Sequence, residues 1–156
     1  MSDRANASRH RARELAVHGL YERQLSKRPD REIAASLLGD PGFAHDEDED
    51  APVAPPELDR DYFDALWGGV TGEYESTLAR LAPHVDRSID AVSPIERAVL
   101  AIAAWELVHR LDIPYRVVID EAVELAKRYG GTDGYKFVNG VLDKLAPRVR
   151  GDEIRR

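Results

Sequence analysis

The chain has 156 residues, of which 43% are hydrophobic, and its formal net charge is −7 at pH 7. This length predicts one domain or two small ones with enough apolar material for a core. Because the chain has no cysteine, disulfides and thiolate metal sites are excluded. No signal peptide and no apolar stretch of the roughly 20 residues that span a membrane is present. We therefore expect a soluble, cytoplasmic protein without membrane contact.

The charge is distributed unevenly along the chain. Residues 1–31 hold eight Lys/Arg against four Asp/Glu, and the last thirteen residues hold five against two. Residues 40–61, in contrast, hold nine acidic groups against one arginine. A basic N-terminus and a basic tail are thus hidden in the total, and the negative net charge does not exclude a nucleic-acid partner.

The N-terminal half predicts two helices and a loop. Residues 1–8 carry no pattern and are expected to be disordered. Helical spacing then runs from Arg9 to Ser26, and a short helix follows from Asp30 to Gly39. The acidic, proline-rich segment 41–57 predicts a disordered insert, because like charges repel and little apolar surface offsets the entropy of ordering. The inward face of the first helix consists of Ala12, Leu15, Ala16, Gly19 and Leu20.

Helical spacing returns at Phe63 and ends at Pro83, with a kink or break predicted at the glycines of 68–72. The next helix begins with Ser93 as a cap, Pro94 in the first turn and Glu96 in a capping-box position. Its apolar run, 98–105, covers nearly the whole circumference, so this helix is predicted to be a buried hub.

Two further helices follow, one ended by Gly130-Gly131 and one, after a cap at Thr132 or Asp133, stopped at Pro147. Their short links predict antiparallel packing. Since no period-2 alternation is present, we predict an all-α fold of two small antiparallel helical subdomains around the buried central helix. The predicted boundaries are 9–83, which includes the insert, and 84–150, followed by a basic tail at 151–156.

A cluster of basic side chains opens the first helix: Arg9, His10, Arg11 and Arg13. Cations in the first turns oppose the helix macrodipole, so their presence there suggests phosphate binding. Arg9 and Arg13 fall on one face and Arg11 lies nearly opposite, which argues against one flat stripe. A solvated helix end is the alternative.

Single-stranded RNA also needs exposed aromatic rings on which its bases stack. Tyr21 lies off the apolar face of the first helix. Tyr129, Tyr135 and Phe137 flank the glycine turn, where Lys136 adds a cation. Core packing is the alternative for each ring, and by spacing it is favoured for Tyr129 and Phe137.

Glu106 and His109 form an E-x-x-H pair, the spacing found in carboxylate-bridged di-metal bundles. A complete site needs a second such pair and two more inward glutamates. Glu121 and Glu124 offer carboxylates, but the second pair is missing, so a surface ion pair is favoured. No nucleophile triad or phosphate-binding glycine loop is present. We expect no cofactor, no metal and no catalytic residue.

Four segments resemble the NusB family of bacterial transcription antitermination factors. They are RHRARE at 9–14, IERAVLAIAAWEL at 95–107, IPYRVVIDEAVELAK at 113–127 and YKFVNGVLDKLAP at 135–147. The resemblance covers about 9–40 and 58–150 and omits the insert. It implies an all-helical, non-catalytic protein that binds the boxA RNA of ribosomal RNA leaders together with NusE, a small-subunit ribosomal protein. The complex joins RNA polymerase and other Nus factors and keeps transcription of ribosomal RNA operons processive.

Matching positions carry over the family's functional residues. Arg9, His10, Arg11 and Arg13 match the arginine-rich RNA-binding segment, and Tyr21 matches its tyrosine. Asp133 and Phe137, with Lys136 between them, match an RNA-proximal surface, and Glu96 matches a position of the NusE contact. His10 replaces a common arginine, so its protonation at lower pH would strengthen a phosphate contact.

Alternatives remain open at this stage. The chain could be a di-metal helical bundle enzyme or a helical protein–protein adaptor that does not bind RNA. A similar domain precedes some rRNA cytosine methyltransferases, but this chain lacks a cofactor-binding unit. Self-association as a homodimer is also open.

Overall fold

The computed structural model describes residues 3–39 and 57–155, and in these two ranges all regular structure is helical. The predicted insert 41–57, apart from Glu57, lies outside the described residues. The all-α prediction is confirmed. The helices are α1 (Asp3–Leu25), α2 (Asp30–Gly39), α3 (Arg60–Gly72), α4 (Tyr74–Leu81), α5 (Pro94–His109), α6 (Tyr115–Tyr129), α7 (Gly134–Val149) and α8 (Gly151–Ile154), with 3-10 turns at Ala82–His84 and Ile89–Ala91.

The chain divides into two compact units, Met1–Trp67 and Gly68–Arg156. The boundary was predicted between residues 83 and 84, where Pro83 ends the helical pattern. The structure places it inside α3 instead, because α4 packs against α5 and so belongs to the second unit. None of the helices in the described part of the chain is long and apolar enough to cross a membrane.

In the first unit, α1 buries the predicted apolar face, which packs against the other helices of the unit. Gly19 permits a close approach there, since a Cβ at this position would lie 2.5 Å from the Trp67 ring. The Trp67 indole Nε1 donates a hydrogen bond of 3.1 Å to the carbonyl oxygen of Asp30. This contact ties the end of the unit to the first turn of α2.

The expectation of disorder at 1–8 is wrong for residues 3–8, which form the start of α1. A contact distant in sequence accounts for the difference. The backbone N–H of Asp59 donates a hydrogen bond of 3.2 Å to the carbonyl oxygen of Ser8, and Arg4 donates one of 2.6 Å to Glu57. The segment that precedes α3 therefore supports the first turns of α1.

In the second unit, α5 is the buried hub that the sequence predicted. Every residue from Ala98 to Leu107 is buried, and α6 and α7 pack against α5 and against each other. The Ser93 side chain caps α5 by accepting a hydrogen bond from the backbone N–H of Glu96. The hydroxyl of Ser93 also bonds to the Glu96 carboxylate.

The predicted break falls at Glu73, which separates α3 from α4. Gly69 lies within α3 and has a packing role, because a Cβ there would overlap the Trp105 ring of α5. Trp105 in turn lies beside His109, with ring centroids 5.2 Å apart.

The C-terminal end differs from the prediction in two ways. First, α7 continues through Pro147 to Val149, although proline has no N–H to donate to the carbonyl oxygen four residues earlier. Second, residues 151–154 form α8 rather than a plain basic tail. Arg150, between the two helices, is 3% exposed. Its guanidinium donates hydrogen bonds to the carbonyl oxygens of Glu106, Leu107, Arg110 and Ile113 and to the Glu153 carboxylate. These bonds satisfy carbonyls at the end of α5.

Candidate nucleic-acid interface

The N-terminal cluster, defined as Arg9, His10, Arg11 and Arg13, lies on α1 of the first unit. The guanidinium carbons of Arg9 and Arg13 lie 4.7 and 5.4 Å from the centroid of the Tyr62 ring. Both distances are in the cation–π range. The predicted common face of these two arginines is therefore confirmed, and the sequence did not predict that Tyr62 of α3 underlies it.

Arg9 is held in place by two groups. Besides the Tyr62 ring, the Asp59 carboxylate lies 3.8 Å from its Nε. Asp59 itself is fixed, because it accepts a hydrogen bond of 2.9 Å from the backbone N–H of Tyr62 at the start of α3. The Arg9 side chain is 22% exposed. Its guanidinium is thus positioned before any ligand arrives, which lowers the entropic cost of binding.

His10 and Arg11 share a carboxylate on α1. The Glu14 Oε1 atom lies 3.8 Å from His10 Nε2 and 3.9 Å from Arg11 Nη1. Glu14 is itself largely buried. The carboxylate offsets part of the positive charge of the cluster and lies beside both side chains, of which His10 is 32% and Arg11 is 11% exposed.

Arg13 departs from the prediction of a direct RNA contact. It is 3% exposed and packs over the Tyr62 ring. A guanidinium buried in this way cannot reach a phosphate without displacement of its surroundings. In this structure Arg13 packs against the Tyr62 ring, the same ring on which Arg9 lies.

Tyr21 lies on the surface of α1, as predicted, and its side chain is 39% exposed. It is twelve residues beyond Arg9, which corresponds to about 18 Å along the helix axis. Leu25, one turn further, is 61% exposed. The first unit therefore presents cations at one end of α1 and an aromatic ring, followed by an apolar side chain, towards the other end.

The α7 cluster, defined as Arg87, Asp133, Lys136 and Phe137, lies in the second unit. Asp133 is the N-cap residue of α7 but makes no side-chain cap hydrogen bond; its carboxylate lies 3.5 Å from Lys136 Nζ. Phe137 is half-buried, and the Arg87 guanidinium lies over its ring with 4.7 Å between Cζ and the centroid. The three residues predicted from the sequence, Asp133, Lys136 and Phe137, are therefore neighbours. The structure adds Arg87, which the sequence did not predict, to this group.

Arg87 is paired with an adjacent carboxylate. Its Nε donates a hydrogen bond of 2.9 Å to Asp86 Oδ1. This bond lowers the pKa of Asp86 below its usual value and raises that of Arg87. Both groups are consequently charged at neutral pH, and the local charge at this turn is close to balanced.

Glu96, the predicted NusE contact, borders the α7 cluster. A Cβ on Gly134 would lie 2.6 Å from Glu96 Oε1, so the carboxylate lies directly against the first turn of α7 and a larger residue there would displace it. Glu96 is half-buried and bonds to the Ser93 hydroxyl. The residue predicted for a protein partner and those predicted for RNA thus adjoin at the first turns of α5 and α7.

Two tyrosines near the glycine turn also contact cations. Tyr135 has Lys127 Nζ at 5.2 Å and Lys136 Nζ at 5.9 Å from its ring centroid. Tyr129 has the Arg128 guanidinium at 5.5 Å. Both rings are half-buried, so Tyr129 is not the fully buried core residue that its spacing favours.

The E-x-x-H pair does not form a metal centre within the described residues, where no group of three or more His, Asp or Glu side chains could hold a metal ion. His109 Nε2 instead lies 2.5 Å from a carboxylate oxygen of Glu73. Glu106 is 1% exposed. His109 therefore contacts the Glu73 carboxylate, in agreement with the alternative to a metal site.

Sequence reasoning missed Tyr62, Asp59 and Arg87. Tyr62 is four residues before the buried Leu66, so an extended helical pattern could have indicated its burial. No pattern could have indicated which side chains lie over its ring. Arg87 is in a segment of short turns without periodicity, where sequence gives no such signal.

Comparisons with known proteins identify the family. A family model described as "NusB family" matches residues 10–147. The transcription antitermination protein NusB of Paraburkholderia phymatum is 51% identical over 149 residues, which cover 96% of this chain and 94% of the relative. NusB of Burkholderia cenocepacia is 48% identical over 149 residues, which likewise cover 96% of this chain and 94% of the relative.

Solved structures agree with this assignment. NusB of T. maritima superposes with a TM-score of 0.75 at 25% identity, covering 95% of this chain and 97% of that one. A chain from the crystal structure of antitermination factors NusB and NusE in complex with dsRNA superposes with a TM-score of 0.74 at 23% identity. The match covers 90% of this chain and 97% of that one. Antitermination is not catalytic, and the expectation that the chain is not an enzyme is confirmed. The chain belongs to the NusB family of transcription antitermination proteins.

Proposed function

We propose that this protein binds the boxA RNA of ribosomal RNA leader transcripts together with NusE, in the cytoplasm, and thereby keeps transcription of ribosomal RNA operons processive. The observation that carries the proposal is the fixed position of Arg9 on α1, on the Tyr62 ring and beside Asp59, with 22% of its side chain exposed. A positioned cation with neighbouring basic groups is suited to RNA phosphates.

Different side chains contribute different contacts to RNA binding. Arg9, His10 and Arg11 hold phosphates, and Arg13 packs against the Tyr62 ring on which Arg9 lies. Tyr21 and Phe137 supply rings for unpaired bases, and Lys136 adds a cation beside Phe137. Asp133, which pairs with Lys136, keeps that lysine at the first turn of α7.

Glu96 supplies the contact to NusE. Its carboxylate is held by Ser93 and lies against Gly134, so it is oriented before a partner arrives. The complex with RNA and NusE then joins RNA polymerase and the other Nus factors. A homodimer in the absence of RNA is a further state that we include in the proposal.

A gel-shift titration tests this function. The full-length protein is titrated onto a short single-stranded RNA that contains boxA, and onto a scrambled RNA of equal composition, each with and without NusE. We expect preference for boxA and tighter binding when NusE is present. Equal binding to both RNAs would contradict the proposal, and binding to NusE without any RNA binding would favour a protein–protein adaptor.

A further inference from the structure

Arg87 has no role in the function proposed above, yet it contacts a residue that does. Its guanidinium covers one face of the Phe137 ring at 4.7 Å, which is in the cation–π range. The ring is half-buried. A base that approaches Phe137 from the side of Arg87 therefore meets the guanidinium before it meets the ring.

The guanidinium is both oriented and accessible. Its Nε donates to Asp86, and within the described part of the chain neither Nη nitrogen donates a hydrogen bond. The Arg87 side chain is 49% exposed. The ring on one side and the carboxylate at Nε thus hold the group, and its terminal nitrogens keep their hydrogen-bonding capacity for a ligand.

We propose that Arg87 is a further RNA-binding residue, on whose guanidinium an unpaired base stacks while Phe137 supports it from below. The guanidinium plane stacks on bases as aromatic rings do, and its Nη groups donate to a phosphate of the same nucleotide. Arg87 and Phe137 then form one stacking platform, and loss of either side chain weakens it. This inference rests on the proposed function.

The structure argues against an ion pair as the purpose of Arg87. Asp86 is 71% exposed, and exposed pairs contribute little to stability. Contact with a protein partner through neighbouring Glu96 is the competing use. RNA is favoured because a planar cation that rests on a ring offers a flat surface for a base. A contact between Glu96 and a protein partner does not require such a surface.

The test compares the wild type with Arg87→Ala, Arg87→Lys and the control Arg148→Ala. Arg148 is an exposed arginine on α7, eleven residues beyond Phe137, and so about 16 Å further along the helix axis. On boxA RNA we expect Arg87→Ala to lose affinity roughly tenfold, in the range of one stacked base. Arg87→Lys, which keeps the charge but not the plane, should recover only part of the loss, and the control should match the wild type.

An abasic scan of the RNA separates stacking from charge. Replacement of one particular nucleotide by an abasic site should weaken binding of the wild type but cause no further loss in Arg87→Ala. Full recovery by Arg87→Lys, or an equal effect of Arg87→Ala at every abasic position, would overturn the stacking role. Loss of NusE binding with unchanged RNA binding would assign Arg87 to the protein partner and also overturn it.

The two proposals fail in different ways. If the wild type does not distinguish boxA from scrambled RNA, the proposed function is wrong and the inference falls with it. If the wild type does distinguish them and Arg87→Ala binds equally well, only the inference is wrong. Circular dichroism of each variant shows whether it is folded, which we expect since Arg87 is at the surface.

Discussion

The N-terminal cluster and the α7 cluster differ in the chemistry they offer to RNA. The first consists of three arginines and a histidine, partly offset by Asp59 and Glu14, with two of the arginines over the Tyr62 ring. In the second, Arg87 and Lys136 are balanced by Asp86 and Asp133, and Phe137 is the central side chain. The comparison indicates that the N-terminal cluster contributes charge, whereas the α7 cluster contributes stacking with little net charge.

Charge reversal in the N-terminal cluster has the largest expected effect. We expect Arg9→Glu combined with Arg11→Glu to reduce boxA affinity by more than about 100-fold, because two attractive contacts become repulsive. Helix content should be unchanged. The matched control is Lys27→Glu with Arg31→Glu, the same change in charge at exposed positions of the first unit. Filter binding gives both affinities, and equal losses would mean that only the net charge matters.

Removal of the ring in the α7 cluster has the next largest effect. Phe137→Ala should weaken boxA binding by roughly tenfold, since a base–aromatic stack contributes about 1–3 kcal/mol. Phe137→Leu, which keeps the apolar volume, separates stacking from packing. If the leucine variant binds as tightly as the wild type, as measured by fluorescence anisotropy, the ring is not a stacking surface.

Arg13 is buried and Arg9 is partly exposed, and substitution of each tests whether the two arginines have different roles. We expect Arg13→Ala to lower the free energy of unfolding by roughly 1–3 kcal/mol, because it removes a buried side chain and leaves its partners unpaired. Arg9→Ala should cost less than about 0.5 kcal/mol. Urea denaturation followed by circular dichroism measures both. A loss of RNA affinity in Arg13→Ala without any loss of stability would show that Arg13 contacts RNA after all.

Glu96, at the border of the α7 cluster, tests whether a residue there serves the protein partner rather than RNA. In Glu96→Gln the cap of α5 should persist, since glutamine also serves at this position. Removal of the charge should weaken NusE binding by a few-fold and leave binding of RNA alone unchanged. Isothermal titration with NusE measures the first effect. Equal NusE affinity in the two proteins would leave Glu96 with the cap as its only role.

The parts of the fold that depend on local pattern were predictable from the sequence. The buried run of α5 and the inward face of α1 follow from helical periodicity, and Ser93 caps α5 as its sequence context indicates. The fold class and the positions of the candidate residues on helices followed from such patterns.

Features that depend on distant contacts were not predictable in the same way. The order of residues 3–8 rests on Asp59, and the unit boundary rests on the packing of α4 against α5. In the candidate site, the burial of Arg13 and the supporting role of Tyr62 arise from a helix about fifty residues away in sequence. Periodicity identifies an inward face, but it does not identify what that face contacts.

The dependence of RNA affinity on salt concentration tests the central claim most directly. Each phosphate contact to single-stranded RNA contributes about 0.7 to the slope of log K against log salt concentration. We predict that Arg9→Ala lowers the magnitude of this slope by about that amount, whereas Phe137→Ala weakens binding at every salt concentration and leaves the slope unchanged. An unchanged slope in Arg9→Ala, or an equal reduction in both variants, would contradict the division of charge and stacking between the two clusters.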